Sequence, residues 1–141
     1  MKTFPFIAVV LAMTLSGCMT PAQQATVRAP VCKTGDAMQQ TTLYFGLSRP
    51  QGKDITQPEW QSFIDNDVTP RFKAGLTVFD ARGQWLGEDG KVAHEGSKSL
   101  MLIHAANRQD EQNIEVLRAR YKQRFHQESV MRVDTPVCVS F

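Results

Sequence analysis

The chain has 141 residues, and its 16 Lys+Arg against 14 Asp+Glu give a formal net charge of +2. So small an excess, with both signs mixed along the sequence, removes the electrostatic case for nucleic acid, which needs a concentrated basic surface. The length suits one domain of common size with a short N-terminal extension.

The first residues, Met1-Lys2-Thr3, carry one positive charge, and an uncharged, mostly apolar run from Phe4 to Leu15 follows. That run is about a dozen residues, whereas a helix needs roughly 20 to cross the hydrocarbon core. A basic start, a short apolar core and small residues at its end describe a secretory signal over residues 1–17. The run closes with Leu15-Ser16-Gly17-Cys18, which resembles the bacterial lipobox. The resemblance implies cleavage before Cys18, diacylglycerol on its sulfur and acylation of the new N-terminus; two or more chains anchor stably where one does not. Met19 follows the cysteine where inner-membrane retention favours Asp, so the expected address is the outer membrane, facing the periplasm. Loss of Lys2 with the signal leaves the mature chain near +1.

Residues 18–31 include MTPAQQATVRAP, which has two prolines, small polar residues and no apolar periodicity. They read as a flexible tether from the lipidated cysteine, leaving residues 32–141 as a single domain. With Cys18 used by the lipid, Cys32 and Cys138 remain in an oxidising compartment where disulfides persist. Neither has a CxxC partner or metal-site neighbours, so a structural disulfide closing nearly the whole domain is expected.

Along the domain, Thr41 to Arg49 alternates with Leu43, Phe45 and Leu47 on one face, which predicts a strand. Thr56-Gln57-Pro58-Glu59 has capping-box spacing with an early Pro. Trp60, Phe63, Ile64 and Val68 then mark one helical face, and Pro70 ends it. Residues 76–104 read as one long hairpin around the two-residue turn Asp89-Gly90, bulged near Gly83 or Gly96, with Ser99–His104 as its inner end. A second helix is predicted over about 109–125 from Ile114, Leu117, Tyr121 and Phe125. Val130–Val133 and Val137–Val139 supply a last strand interrupted by Pro136. The order βαββαβ is the ferredoxin-like, split βαβ pattern of the α+β class, an antiparallel sheet with two helices on one face. Its last strand lies beside its first, which brings Cys32 and Cys138 together.

The bare face then needs a cover. Leu100-Met101-Leu102-Ile103 is apolar on both faces, as strands buried on both sides are, and large exposed apolar patches mark interaction sites. Two covers are expected as alternatives: a homodimer packed sheet to sheet through the open face, or the long hairpin or N-terminal segment folded across it.

Motifs for catalysis are missing from the sequence: no GxSxG elbow, HExxH helix, Walker loop or strand-borne GxGxxG occurs. No cofactor, metal ligand or catalytic residue therefore follows from a motif. His94, His104 and His126 fall at unrelated places and read as surface or strand-end residues. Asp80, Glu88, Asp89 and Glu95 lie on the hairpin, where placement beside a turn accounts for acidic residues. Arg49, Arg71, Arg82 and Lys98 sit at or after predicted strand ends, where ligand sites are commonly built. Arginine suits carboxylate or phosphate, so a small anionic ligand held by Arg49 and Arg82, with Tyr44, Ser48 and Asp80 as partners, is the candidate site. Arg49 and Lys98 are expected at opposite ends of neighbouring parallel strands.

The segments Tyr44-Phe45-Gly46-Leu47-Ser48-Arg49, Val68-Thr69-Pro70-Arg71-Phe72, Gly75–Trp85, Ser97-Lys98 and Val137–Phe141 together resemble a bacterial family of secreted proteins and lipoproteins, domain of unknown function 3574. The resemblance covers about residues 40–141 and implies no activity, cofactor or catalytic residue. Two functions are expected as alternatives. One is a non-enzymatic envelope module that binds a small ligand or another envelope protein. The other is a small enzyme whose pocket forms at a ferredoxin-like dimer interface, an inference from fold alone.

Overall fold

The computed structural model describes residues 30–141; the signal, Cys18 and most of the tether lie outside the described residues. Strand β1 runs Asp36–Gly46, helix α1 Gln57–Phe63, strand β2 Thr77–Leu86, strand β3 Val92–His104, helix α2 Arg108–Phe125 and strand β4 Met131–Val139. The sheet order is β2-β3-β1-β4 with every neighbouring pair antiparallel. This is the ferredoxin-like arrangement, and β4 pairs with β1 as expected.

Helix α1 begins where the capping box predicts. Thr56 accepts from the Glu59 amide, and the Glu59 carboxylate accepts from the Thr56 amide at 2.9 Å. The helix continues as a π-helical turn, Ile64–Val68, in which the Thr69 amide donates to Ile64 O. Widening the turn brings both Asp67 and Val68 to the buried side. Trp60, Phe63, Ile64 and Val68 are all buried, as are Ile114, Leu117, Tyr121 and Phe125 from α2. Their apolar spacing drives both helices onto one sheet face, where Leu43, Phe45, Leu100 and Leu102 meet them. Phe45, Phe63 and Tyr121 form edge-on pairs with centroids 4.6–5.6 Å apart. Such pairs contribute about 0.5–1.5 kcal/mol each beyond their buried area.

Cys32 and Cys138 are bridged, with Cα atoms 5.6 Å apart. Pairing of Asp36 with Val139 and Ala37 with Cys138 puts the two ends of the domain side by side.

Several expectations change. The β2–β3 register is unbroken from Thr77↔Met101 to Leu86↔Val92, so neither Gly83 nor Gly96 makes a bulge. The turn has three residues, Glu88-Asp89-Gly90, closed by the Gly87 amide donating to Lys91 O. Gly90, at φ +74°, takes the left-handed position that such a loop requires. Strand β4 is continuous through Pro136; β4 is an edge strand, where a missing donor is tolerated. The hairpin also stays in register with the sheet and does not cover its bare face: Phe79, Trp85, Met131 and Val133 remain about half exposed there.

Candidate functional site

Cross-strand partners share a face, so the registers assign the bare face of the sheet. It carries Phe79, Ala81, Gly83 and Trp85 from β2, and Glu95, Ser97, Ser99, Met101 and Ile103 from β3. Thr42, Tyr44 and Gly46 of β1 and Met131 and Val133 of β4 complete it. Charged positions on this face are confined to its ends, Asp36 at one and Glu95 at the other.

At the Glu95 end, two loops rise beside the sheet: the one after β1, with Ser48 and Arg49, and the one after α2, with His126 and Gln127. Together with the β2–β3 hairpin they enclose a cleft of about 790 Å³. Its lining includes Tyr44, Ser48, Arg49, Arg82, Trp85, Glu95, Ser97, His126 and Met131. Glu95 forms the polar floor. Its Oε1 accepts from the Ser48 amide at 3.1 Å, and its carboxylate occupies the space over Gly46 where a Cβ would sit only 2.5 Å away. Gly46 is therefore a close-approach residue, and its carbonyl accepts from the Tyr121 hydroxyl at 2.8 Å. Burial, reinforced by the negative charge of Glu95, raises the Tyr121 phenol well above its ordinary range despite opposition from Arg49. That hydroxyl stays protonated and clamps α2 to the end of β1. Gln127 Nε2 donates to Ser48 O at 2.7 Å, tying the second loop to the first. His126 takes a left-handed conformation, φ 55°, at the end of α2.

Tyr44, Ser48, Arg49 and Arg82 thus line one cleft, whereas Asp80 does not. Asp80 pairs with Lys98 on the helix side of the sheet, in a separate depression of about 380 Å³ beside Trp60. The expected separation of Arg49 from Lys98 is also corrected. Strands β1 and β3 are antiparallel, and Phe45 pairs with Lys98, so both residues lie at the same end of the sheet. Arg49 is already engaged: it donates to Glu59 at 2.6 Å and to Lys53 O at 3.1 Å. The Thr56 amide and Arg49 together hold the Glu59 carboxyl down at about 2. Arg82 makes no ion pair among the described residues. His104 is a strand-end residue, the last of β3, and is buried, with Nε2 2.9 Å from Thr41 Oγ1. Arg71 turns away to Asp67. Glu95 and His126 were not legible as site residues: Gly46, over which the Glu95 carboxylate lies, is paired with Ser97, so no local pattern pointed to either.

A family whose description is "Protein of unknown function (DUF3574)" matches residues 40–141. The chain belongs to that family. Among curated proteins, none matches. Among solved structures, a phage SAM lyase in complex with S-methyl-5'-thioadenosine is similar at 16% identity and a TM-score of 0.57, covering 77% of this chain and 88% of the lyase. The same lyase in its apo state gives 16% and 0.56, over 77% and 87%. CutA from Synechococcus elongatus PCC7942, complexed with Bis-Tris, gives 10% and 0.50, over 77% and 88%. At these identities the likeness shows the shared fold.

Proposed function

We propose that the protein is a bacterial envelope lipoprotein whose folded domain is a non-enzymatic binding module. In this proposal residues 1–17 are removed on export, Cys18 carries the lipid, and residues 18–31 hold the domain off the membrane, on the periplasmic side of the outer membrane. The address rests on the signal pattern and on Leu15-Ser16-Gly17-Cys18. The binding role rests on one observation: the cleft at the Glu95 end joins an apolar wall to a few convergent polar groups, the general make-up of small-molecule sites. Trp85 and Met131 offer the wall, Glu95 and the Tyr44 and Ser97 hydroxyls accept or donate hydrogen bonds, and Arg82, which belongs to the other face of β2 but borders the same cleft, supplies a cation. The ligand class that suits it is a small amphipathic molecule with an apolar body, a hydrogen-bond donor for Glu95 and an anionic group for Arg82. Arg49, already committed to Glu59, serves as a brace. The phage lyase's complex with S-methyl-5'-thioadenosine is a case of this fold holding a small amphipathic molecule, though one without an anionic group, and it lends no residue.

A second copy of the chain, packed sheet to sheet, belongs to the same proposal. Interface cores are depleted of charge, and the bare face has Asp36 and Glu95 only at its ends. Such a partner would also roof the cleft, which is the specific point in favour of the alternative, an enzyme with its pocket between subunits.

The test is a thermal-shift screen of periplasmic metabolites and cell-wall fragments, with sedimentation alongside. A ligand at 100 times its dissociation constant adds about 2.7 kcal/mol. The expected result is a hit abolished by Glu95→Gln with Arg82→Ala and a dimer in sedimentation. Hits unmoved by those substitutions would place the ligand elsewhere, and a monomer would remove the second copy.

A further inference from the structure

On the helix-covered side of the sheet three arginines converge on one carboxylate. Asp67, brought inward by the π-helical turn, is 7% exposed. Arg120 donates to its Oδ1 at 2.6 Å, Arg124 Nη1 lies 3.6 Å from Oδ2, and Arg71 Nη1 lies 3.9 Å from Oδ1. Arg71 also donates to the Asp67 carbonyl oxygen at 2.5 Å. Among the described ion pairs, Asp67 is the one acidic partner of each arginine. Three cations against one anion leave a local surplus of two positive charges.

Arg124 is held in place by further contacts: it donates to Ser62 Oγ at 3.0 Å and lies over the Phe125 ring, 5.1 Å from its centroid. Each guanidinium carries five N–H donors in a planar fork, and the bonds to Asp67, Ser62 and the main chain engage only some of them. Asp67, Arg120, Gln123 and Arg124 line a cleft of about 520 Å³. Like charges held this close are tolerated when an anion completes the set, and π-helical turns recur at functional sites.

We propose that this cleft is a binding site for a phosphate group, with Arg120 and Arg124 as its ligands, Arg71 adding charge and Asp67 as the positioning residue that presets the two forks. A single carboxylate would cancel half of the surplus, whereas a phosphate dianion cancels all of it and offers oxygens in several directions to guanidiniums arriving from two elements. Free phosphate monoesters carry that dianion, whereas the diester headgroups of phospholipids offer the same oxygens with one charge.

Calorimetric titration of the full chain in neutral detergent would separate these sources, using inorganic phosphate, methyl phosphate and the diester glycerophosphoglycerol, with acetate as the carboxylate reference. Phosphate and methyl phosphate are expected to bind more tightly than acetate, with affinity falling as salt rises. Each lost charged hydrogen bond weakens binding about tenfold, so Arg120→Gln and Arg124→Gln should each reduce affinity by that factor, with an unchanged circular dichroism melt showing intact folding. Diester binding equal to the monoester assigns the site to a lipid headgroup; monoester preference assigns it to a soluble phosphate. No heat with any phosphate, or affinity unchanged in both variants, would overturn the site.

Discussion

Helix α2 touches two charge clusters built in opposite ratios. Near its start, Arg132 of β4 is 15% exposed at its side chain and reaches three carboxylates, Glu111, Glu115 and Asp134, at 2.7–3.0 Å. Arg118 closes that network by binding Glu115 and the Val130 carbonyl. Thr41, fully buried, donates to Asp134 at 2.6 Å. Near the end of α2 the ratio reverses, with three arginines around Asp67. The polarity of the helix itself fits both, acidic in its first turn and basic in its last, as the helix dipole favours. The difference teaches what each cluster is for. A network in which every charged atom has a partner inside the chain fastens β4 to α2, while one in which three cations share a single anion keeps a surplus of positive charge.

Stability measurements can break that comparison. Arg132→Ala removes the central cation and leaves Glu111, Glu115 and Asp134 facing one another, so it should cost about 2–3 kcal/mol, read as a lower urea midpoint at unchanged slope. Arg120→Ala and Arg124→Ala remove cations from a set that has too many, at sites that are 53% and 39% exposed. Each should cost less than about 1 kcal/mol; a loss as large as that of Arg132→Ala would mean that both clusters are structural.

Acid sharpens the contrast. Burial opposes ionisation of Glu115, but hydrogen bonds from Arg118 and Arg132 outweigh it and lower its carboxyl below the usual 4.5. A carboxylate lowered in the folded state contributes stability above its unfolded value and loses it as pH falls through the folded one. The wild type should therefore lose stability below about pH 4.5, and Arg132→Ala should lose less across the same range. Glu59, held at about 2 by the Thr56 amide and Arg49, is unaffected by that substitution and cancels from the difference. The smallest effect belongs to Lys91→Ala at the hairpin tip. Its pair with Asp89 is 3.9 Å long and both side chains are mostly exposed, so the melting curve should move by less than the equivalent of about 0.5 kcal/mol.

The helices were the most legible part of the fold, because Thr56 and Glu59 form a local cap and the apolar spacings need no knowledge of distant contacts. The Trp60, Phe63, Ile64 and Val68 face, and that of α2, are buried as predicted. The strand order was legible from the element order βαββαβ, whose usual sheet sets the last strand beside the first and so brings Cys32 and Cys138 together. Details of pairing were less so. Whether Gly83 is a bulge or a plain strand residue depends on what lies opposite it, and Pro136 is harmless only because β4 has no second neighbour. Within the cleft, Tyr44, Ser48 and Arg49 stand near the end of β1 and could be grouped by topology, whereas Arg82, expected at a strand end, lies in the middle of β2. Asp80 could not be separated from Arg82, which shares its face of β2; only the tertiary structure sets Lys98 beside Asp80 and the cleft beside Arg82.

Sequence alone therefore determined what short-range physics controls: the caps, the apolar faces, the order of elements and the type of fold. The tertiary structure decided which charges meet. Asp67 lies 53 residues from Arg120, and Glu95 lies 47 from Ser48; no local pattern links either pair. The π-helical turn that brings Asp67 inward, and the missing Cβ at Gly46 that lets Glu95 settle over β1, have meaning only once the other strand or helix is in place.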